Sequence, residues 1–224
     1  MANVIAIPRR TLHDEVAARL RQMLVEGTIV PGAKLNEREL CEGLQVSRTP
    51  LREAIKAMAA EGLVDLLPNR GAVAVKLSEP DVVHAFELLA ELEGMSGRLA
   101  AQRATPGELA EIRALHHEML ACFARRDLRG YYRRNAQIHA AINQAARNPV
   151  LEKTYRALNA RVQSMRFRTN QNEAKWRAAV REHEAMLDAL EARDATRLQA
   201  LLVEHLLRKR DAITESMRNG ELAS

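Results

Sequence analysis

Aromatic residues make up only 3% of this 224-residue chain, with one Trp, three Tyr and three Phe. Strand-rich folds draw on aromatic and β-branched side chains, so a chain led by Ala, Leu, Arg and Glu is expected to be mainly helical. Two cysteines, Cys41 and Cys122, stand far apart and outside any CxxC pattern. They exclude a disulfide framework and a thiolate metal site, and both are expected to be ordinary half-buried residues. No run approaches the roughly 18 apolar residues of a membrane span, and the N-terminus lacks the apolar core of a secretion signal. A cytoplasmic protein without a membrane partner is the expectation. Low-complexity tracts and internal repeats are absent too.

What the chain has is 47% hydrophobic and 28% charged residues, the balance of a folded protein with a real core. The net charge is +5 and the sequence pI about 9.5. Up to Lys76 there are 11 basic and 9 acidic residues, and after it 23 and 20. Total charge therefore permits a polyanionic partner without locating one, and the placement of the charges must decide.

Helical periodicity from Thr11 to Glu26 predicts a first helix with Thr11 as its cap, and Asn36 with Glu39 starts a short second helix ending at Leu44. A tight turn at Gln45-Val46 leads to Ser47, which caps a third helix over 48–61 with Pro50 in its first turn. Two β-prone runs, Leu63 to Leu67 and Ala72 to Lys76, flank the turn Pro68-Asn69-Arg70-Gly71. Three helices and a hairpin make a winged helix-turn-helix, assigned here to residues 1–77. Residues 78–224 carry no strand signal. Helices are expected there over 80–103, 106–126, 128–146, 149–170, 173–192 and 195–217, with joints short enough for an antiparallel bundle.

On the third helix, at about 100° per residue, Arg48, Arg52 and Lys56 fall on one side and Leu51, Ala54 and Met58 on the other. The apolar side can pack inward while the basic side projects. A major groove accepts one such helix, and Arg can grip guanine with both arms. Ser47, Thr49 and the helix N-terminus can hold a phosphate. Charge alone also fits a plain solvated face.

The segment IVPGAKLNERELCEGLQVSRTPLREAIKAMAAEGLVDLLPNRGAVAV, residues 29–75, resembles the DNA-binding domain of GntR-family bacterial transcription regulators. Its Pro-Gly, Ser-Arg-Thr-Pro-x-Arg-Glu-Ala, Glu-Gly-Leu and Arg-Gly elements stand in the family's register. The resemblance implies that Arg38, Arg48 and Arg52 make the principal contacts with a double-stranded operator, helped by Ser47, Thr49 and Pro50. It also implies that Gly71 at the wing tip approaches the minor groove, with Arg70 beside it.

In the helical half, Asn135 and His139 lie one turn apart and share a face, while His183 and His205 sit among apolar residues on two later helices. Three imidazoles could converge on one cation with Asn135 adding a carbonyl oxygen, although a histidine in an amphipathic helix is more often simply satisfied or exposed. His13, His84, His116 and His117 show no such arrangement and are expected to be at the surface or partly buried. Arg161 and Arg168 flank the inward stripe Leu151, Tyr155, Leu158, Val162 and Met165, where either could clamp a carboxylate. Trp176 is expected to pack rather than to stack on a ligand.

This half is similar to the FCD ligand-sensing domain of the FadR subfamily, whose pattern is Asp-x-x-x-His, then Glu-His, then a late His. The chain carries NAQIH, EH and EH at those places. By that resemblance Asn135, His139, His183 and His205 correspond to ligands of a divalent ion such as zinc, nickel or manganese, with Asn135 replacing the usual Asp and removing a negative charge. Leu89 stands where many members carry Arg, and six helices point to the VanR-like branch. The implied function is a homodimeric regulator, a repressor released from its operator by a small carboxylic acid. An effector-free structural DNA binder would need no cavity. A metal-dependent enzyme would need a base beside the histidines, and the only nearby candidate in the sequence, Glu184, points about 100° away from His183 on its helix.

Overall fold

The computed structural model describes residues 12–68, 70–169 and 173–220, and side chains outside 167–175. Two compact units meet in the sequence between Lys76 and Leu77.

In the first unit, helix α1 (Leu12–Glu26) buries Val16, Ala17 and Leu20. Thr11, its expected cap, lies outside the described residues. There follow β1 (Lys34–Leu35), α2 (Glu37–Leu44), α3 (Arg48–Ala60), β2 (Val64–Leu67) and β3 (Gly71–Ala74). Asn36 starts α2 by accepting from the backbone N–H groups of Arg38 and Glu39 at 3.1 and 3.5 Å, and its Nδ2 donates to Glu39 at 2.7 Å. Gln45 ends the helix in the left-handed region at φ 54°, which turns the chain sharply enough for α3 to begin at Arg48.

Helix α3 buries Leu51, Ala54, Ile55 and Met58, packing that face on α1. Arg21 on α1 clamps Glu61 just past the end of α3 with two bonds of 2.8 and 2.6 Å. The strands form one antiparallel sheet in the order β1-β3-β2. Asp65 faces Val73 on one side of β3, and Lys34 faces Val73 on the other. The hairpin had been expected and β1 had not, since two residues carry no alternation that a sequence can display. Gly71 opens β3 at φ +87°, a conformation in which any Cβ is strained.

In the second unit, α4 (Glu79–Arg103), α5 (Pro106–Ala124), α6 (Leu128–Ala145), α7 (Pro149–Thr169), α8 (Glu173–Glu191) and α9 (Ala195–Arg218) follow one another through short joints. Ser78 with Asp81 and Thr105 with Glu108 close reciprocal capping boxes, and Asp127 and Asp194 cap α6 and α9. Ile112, Met119, Tyr131, Ile138, Leu198 and Leu202 belong to the main core. Trp176 is buried there with its ring edge-on to Phe123 and Tyr131. Among the described residues no helix is long and apolar enough to cross a membrane.

Helices α4 and α9 approach closely because α4 carries two buried glycines. A Cβ on Gly94 would stand 2.6 Å from Val203 Cγ2, and one on Gly97 would stand 2.2 Å from Leu202 Cδ1. That closeness brings Glu93 of α4 and His205 of α9, both buried, into one interior. Cys41 is partly exposed and Cys122 is buried, both as free thiols.

Candidate functional sites

The candidate nucleic-acid face is built on α2, α3 and the hairpin. Arg48, Arg52 and Lys56 are all exposed on α3, as is Arg38 on α2. Ser47 occupies the α3 N-cap position with extended backbone, yet its side chain makes no cap bond. A hydroxyl without that bond, beside the exposed Thr49 and the first N–H groups of α3, suits a phosphate oxygen. Pro50 lies half-buried in the first turn. Arg70 and Gly71 are exposed at the hairpin end.

Carboxylates already engage three of these cations. Arg38 Nε meets Glu42 at 3.0 Å, Arg52 Nε meets both oxygens of Glu37, and Lys56 meets Glu53 at 2.8 Å. The Arg52–Glu37 contact sets the basic side of α3 against the start of α2, one residue from Arg38. The Arg38 and Lys56 pairs are exposed and weak, so exchanging them for DNA phosphates costs little, whereas Glu37 holds Arg52 by Nε alone.

The second candidate site lies inside the helical unit. His139 on α6, His183 on α8 and His205 on α9 are buried, and one ring nitrogen from each lies within 4.8 Å of the others. The rings interlock: His183 meets His139 and His205 edge-on at centroid distances of 5.0 and 5.2 Å, while His139 and His205 stack at 5.5 Å. Both ring nitrogens of His183 are buried without a hydrogen-bond partner. Burial, seconded by the neighbouring imidazoles, holds His183 well below its ordinary value, and burial likewise lowers His205 against the opposing pull of Glu182. Both rings are therefore neutral near pH 7, the form that coordinates a metal. Buried polar atoms without partners are costly. Three buried imidazoles converging, two of them with ring nitrogens that lack a hydrogen bond, are the donor set of a divalent cation site, and the residues fit one. Asn135, one turn before His139 on α6, is buried as well.

Charge reaches this interior from groups to which the sequence assigns no role. Glu93 of α4 is fully buried with a carboxylate oxygen against His139 Nδ1. Burial pushes its carboxyl up, but His139 and Arg166 outweigh that and hold it below the usual range. Glu182 of α8 sits 2.5 Å from His205 Nδ1, and its other oxygen accepts from Arg208 at 2.5 Å. Arg166 of α7 is buried, donates to Asn159 Oδ1 at 2.6 Å, and has Glu93, Tyr155 and Tyr132 around it. The Tyr132 hydroxyl donates to the Gln163 carbonyl at 2.9 Å, and burial pushes that phenol up to about 12.

Of the two arginines singled out as carboxylate clamps, Arg161 is exposed and the side chain of Arg168 lies outside the described residues. Arg166 is the buried one. The signal was present, because Arg166 follows Val162 by four residues and so continues the inward stripe. His116, expected at the surface or partly buried, is buried. It shares with His183, Ile112, Ile142 and Met186 a cavity of about 10 Å³, room for at most one water.

Comparison with known proteins finds a family match in each unit. The family described as "Bacterial regulatory proteins, gntR family" matches residues 12–73, and the "FCD domain" matches residues 84–208. The HTH-type transcriptional repressor RspR of Escherichia coli (strain K12) is 26% identical over 211 residues, covering 94% of this chain and 91% of that protein. A putative L-lactate dehydrogenase operon regulatory protein of the same strain is 31% identical over 229 residues, covering 91% and 86%. Among solved structures, E. coli McbR/YncC superposes with a TM-score of 0.84 at 23% identity, covering 93% of this chain and 100% of that one, a likeness of fold.

Proposed function

This chain belongs to the gntR family of bacterial regulatory proteins and carries an FCD domain, and from that premise we propose how a ligand-responsive, DNA-binding transcription regulator of this kind uses the two sites. Residues 1–77 bind one half-site of an operator through Arg38, Arg48 and Arg52, with Ser47, Thr49 and Pro50 at the helix start and Arg70 and Gly71 at the wing. Residues 78–224 hold the effector and pair two copies into a homodimer in the cytoplasm. A repressor among its relatives supports repression as the sign of control.

The observation that carries the effector reading is the interior of the second unit, where His139, His183 and His205 converge beside Glu93 and Arg166. A bundle stabilised by apolar packing alone gains nothing from burying those groups. With Asn135 as a neutral fourth ligand, the three imidazoles would hold zinc, nickel or manganese, which supplies a Lewis-acid centre for an anionic group. Arg166 is the buried cation nearest to hand for the carboxylate of a small acid, with Tyr155 and Glu93 beside it. Arg161, at the surface, suits that task less well.

The test uses the full chain. An operator is selected from random duplexes, sedimentation gives the assembly state, and zinc, nickel, manganese and a panel of small carboxylates are scored by thermal shift and by release of the operator. A dimer that a metal stabilises and a carboxylate releases is the expected result. A chain indifferent to every metal and acid overturns the effector reading and leaves a structural DNA binder.

A further inference from the structure

The three histidines are not held alike. The Nδ1 atoms of two of them face carboxylates: His139 against Glu93 and His205 against Glu182. The third, His183, has no carboxylate against it among the described residues. Glu182 is the residue immediately before His183, yet it reaches across from α8 to α9 and engages His205. Successive residues on a helix diverge by about 100°, so Glu182 and His183 cannot serve one another. The helix that buries His183 thereby aims Glu182 at the neighbouring helix.

We propose that Glu93 and Glu182 are positioning residues for the metal site, fixing the imidazoles of His139 and His205 with Nδ1 as the hydrogen-bearing atom and Nε2 turned to a shared divalent cation. The inference rests on the metal reading above. An imidazole has two nitrogens on different edges of the ring. A carboxylate that takes the N–H of one fixes the tautomer, leaves the lone pair on the other, and makes that atom a stronger donor. The two carboxylates come from α4 and α8, and each meets an imidazole carried by a different helix, α6 or α9.

The arrangement also bears on Asn135. A neutral amide in the ligand set leaves a divalent ion with no negative charge in direct contact. Glu93 and Glu182 bring two carboxylates to within one imidazole of it. Glu182 is also paired with Arg208 through its other oxygen. His183 has no such helper and is set by packing alone, between the other two rings and the wall shared with His116.

A different role for Glu182 is purely structural, tying α8 to α9 through Arg208. Cobalt(II) titration of the chelator-stripped full chain, followed by its visible absorption, separates the two. Glu182→Gln is expected to weaken cobalt binding by about 10- to 100-fold. Arg208→Ala, which cuts the tie but leaves the His205 contact, is expected to lower the thermal midpoint while keeping cobalt affinity within about threefold of wild type. In a His205→Ala background, Glu182→Gln should have no further effect, because it acts through that ring.

Glu93→Gln should act in the same direction, but it strips Arg166 of a buried partner and risks the fold. Glu182 is therefore the deciding position. Wild-type affinity in Glu182→Gln, equal losses in Glu182→Gln and Arg208→Ala, or an undiminished loss in the His205→Ala background overturns the positioning role. A wild-type chain that takes up no cobalt overturns the metal reading itself, and the positioning role with it.

Discussion

Arg52 on α3 donates its Nε to both carboxylate oxygens of Glu37 on α2, at 3.1 and 2.9 Å. The bond uses the inner edge of the guanidinium and leaves its outer NH groups for a ligand. A side chain that would otherwise sample many rotamers is thus held near one orientation before DNA arrives. Arg52→Ala and Arg48→Ala should each remove about 1–3 kcal/mol of discrimination between a selected operator and scrambled DNA at fixed salt. The thermal midpoint should hardly move, since both side chains are exposed. Unchanged discrimination in both variants would remove α3 as the recognition helix. Glu37→Gln should give a smaller loss than Arg52→Ala, because it frees the arginine without deleting it.

A second prediction concerns the α4–α9 contact. Gly97→Ala places a methyl 2.2 Å from Leu202 Cδ1 and 3.1 Å from Leu198 Cγ, and both leucines are fully buried. Overpacking of this kind destabilises by roughly 1–3 kcal/mol, against a helix-propensity gain from Gly to Ala of at most about 1 kcal/mol. A net fall in urea midpoint is expected. Gly43→Ala on α2, where a Cβ meets nothing within 4 Å, should be neutral or stabilising. Equal responses at the two positions would show that α4 and α9 do not approach as described.

The helices were legible in the sequence because their signals are local: Ser78-x-x-Asp81, Thr105-x-x-Glu108 and the caps Asp127 and Asp194 all stand at the starts they specify. Strand β1 was not, since two residues become a strand only through pairing with Val73 and Ala72. In the interior, the histidines could be named from spacing and family resemblance. Glu182 stands in the Glu-His pair of that resemblance, but its contact with His205 on another helix, and the place of Glu93 beside His139, could not be read there. Glu93 falls at helical spacing on a stripe with Phe86, Leu89 and Ala100, but which partner waits opposite a buried charge depends on the tilt of another helix. Arg166 is hidden in the sequence for a different reason: a run of arginines reads as surface charge, although its spacing from Tyr155 and Val162 marks the inner face.

The third prediction follows from His116, which burial holds below its ordinary value against the pull of Glu184, Asp188 and Glu191. In the unfolded chain it titrates near 6.5, and in the folded chain it stays neutral to lower pH. As pH falls through 6.5 the unfolded state therefore binds the extra proton, so stability is full above that value and is lost below it. The slope from this residue is at most about 1.4 kcal/mol per pH unit. His116→Leu should narrow the gap between urea midpoints measured at pH 7.5 and 5.0. An unchanged gap would mean that the native ring protonates as readily as the unfolded one.

The last prediction returns to Asn135. It is buried on α6 one turn before His139, and its amide offers a metal only a neutral carbonyl oxygen. Asn135→Asp keeps the shape and adds a negative charge beside a divalent ion, where the interior screens it less than water does. Zinc affinity of the full chain should rise by about tenfold or more, equivalent to about 1.4 kcal/mol. Without metal the same substitution should lower the thermal midpoint, because a buried carboxylate then lacks a counter-charge. The two effects have opposite signs, and their crossover on adding zinc is the signature of Asn135 in the coordination sphere. If the three imidazoles instead hydrogen-bond an effector directly, protein purified without tag or chelator carries less than about a tenth of an equivalent of transition metal, and Asn135→Asp destabilises the chain whether or not zinc is present.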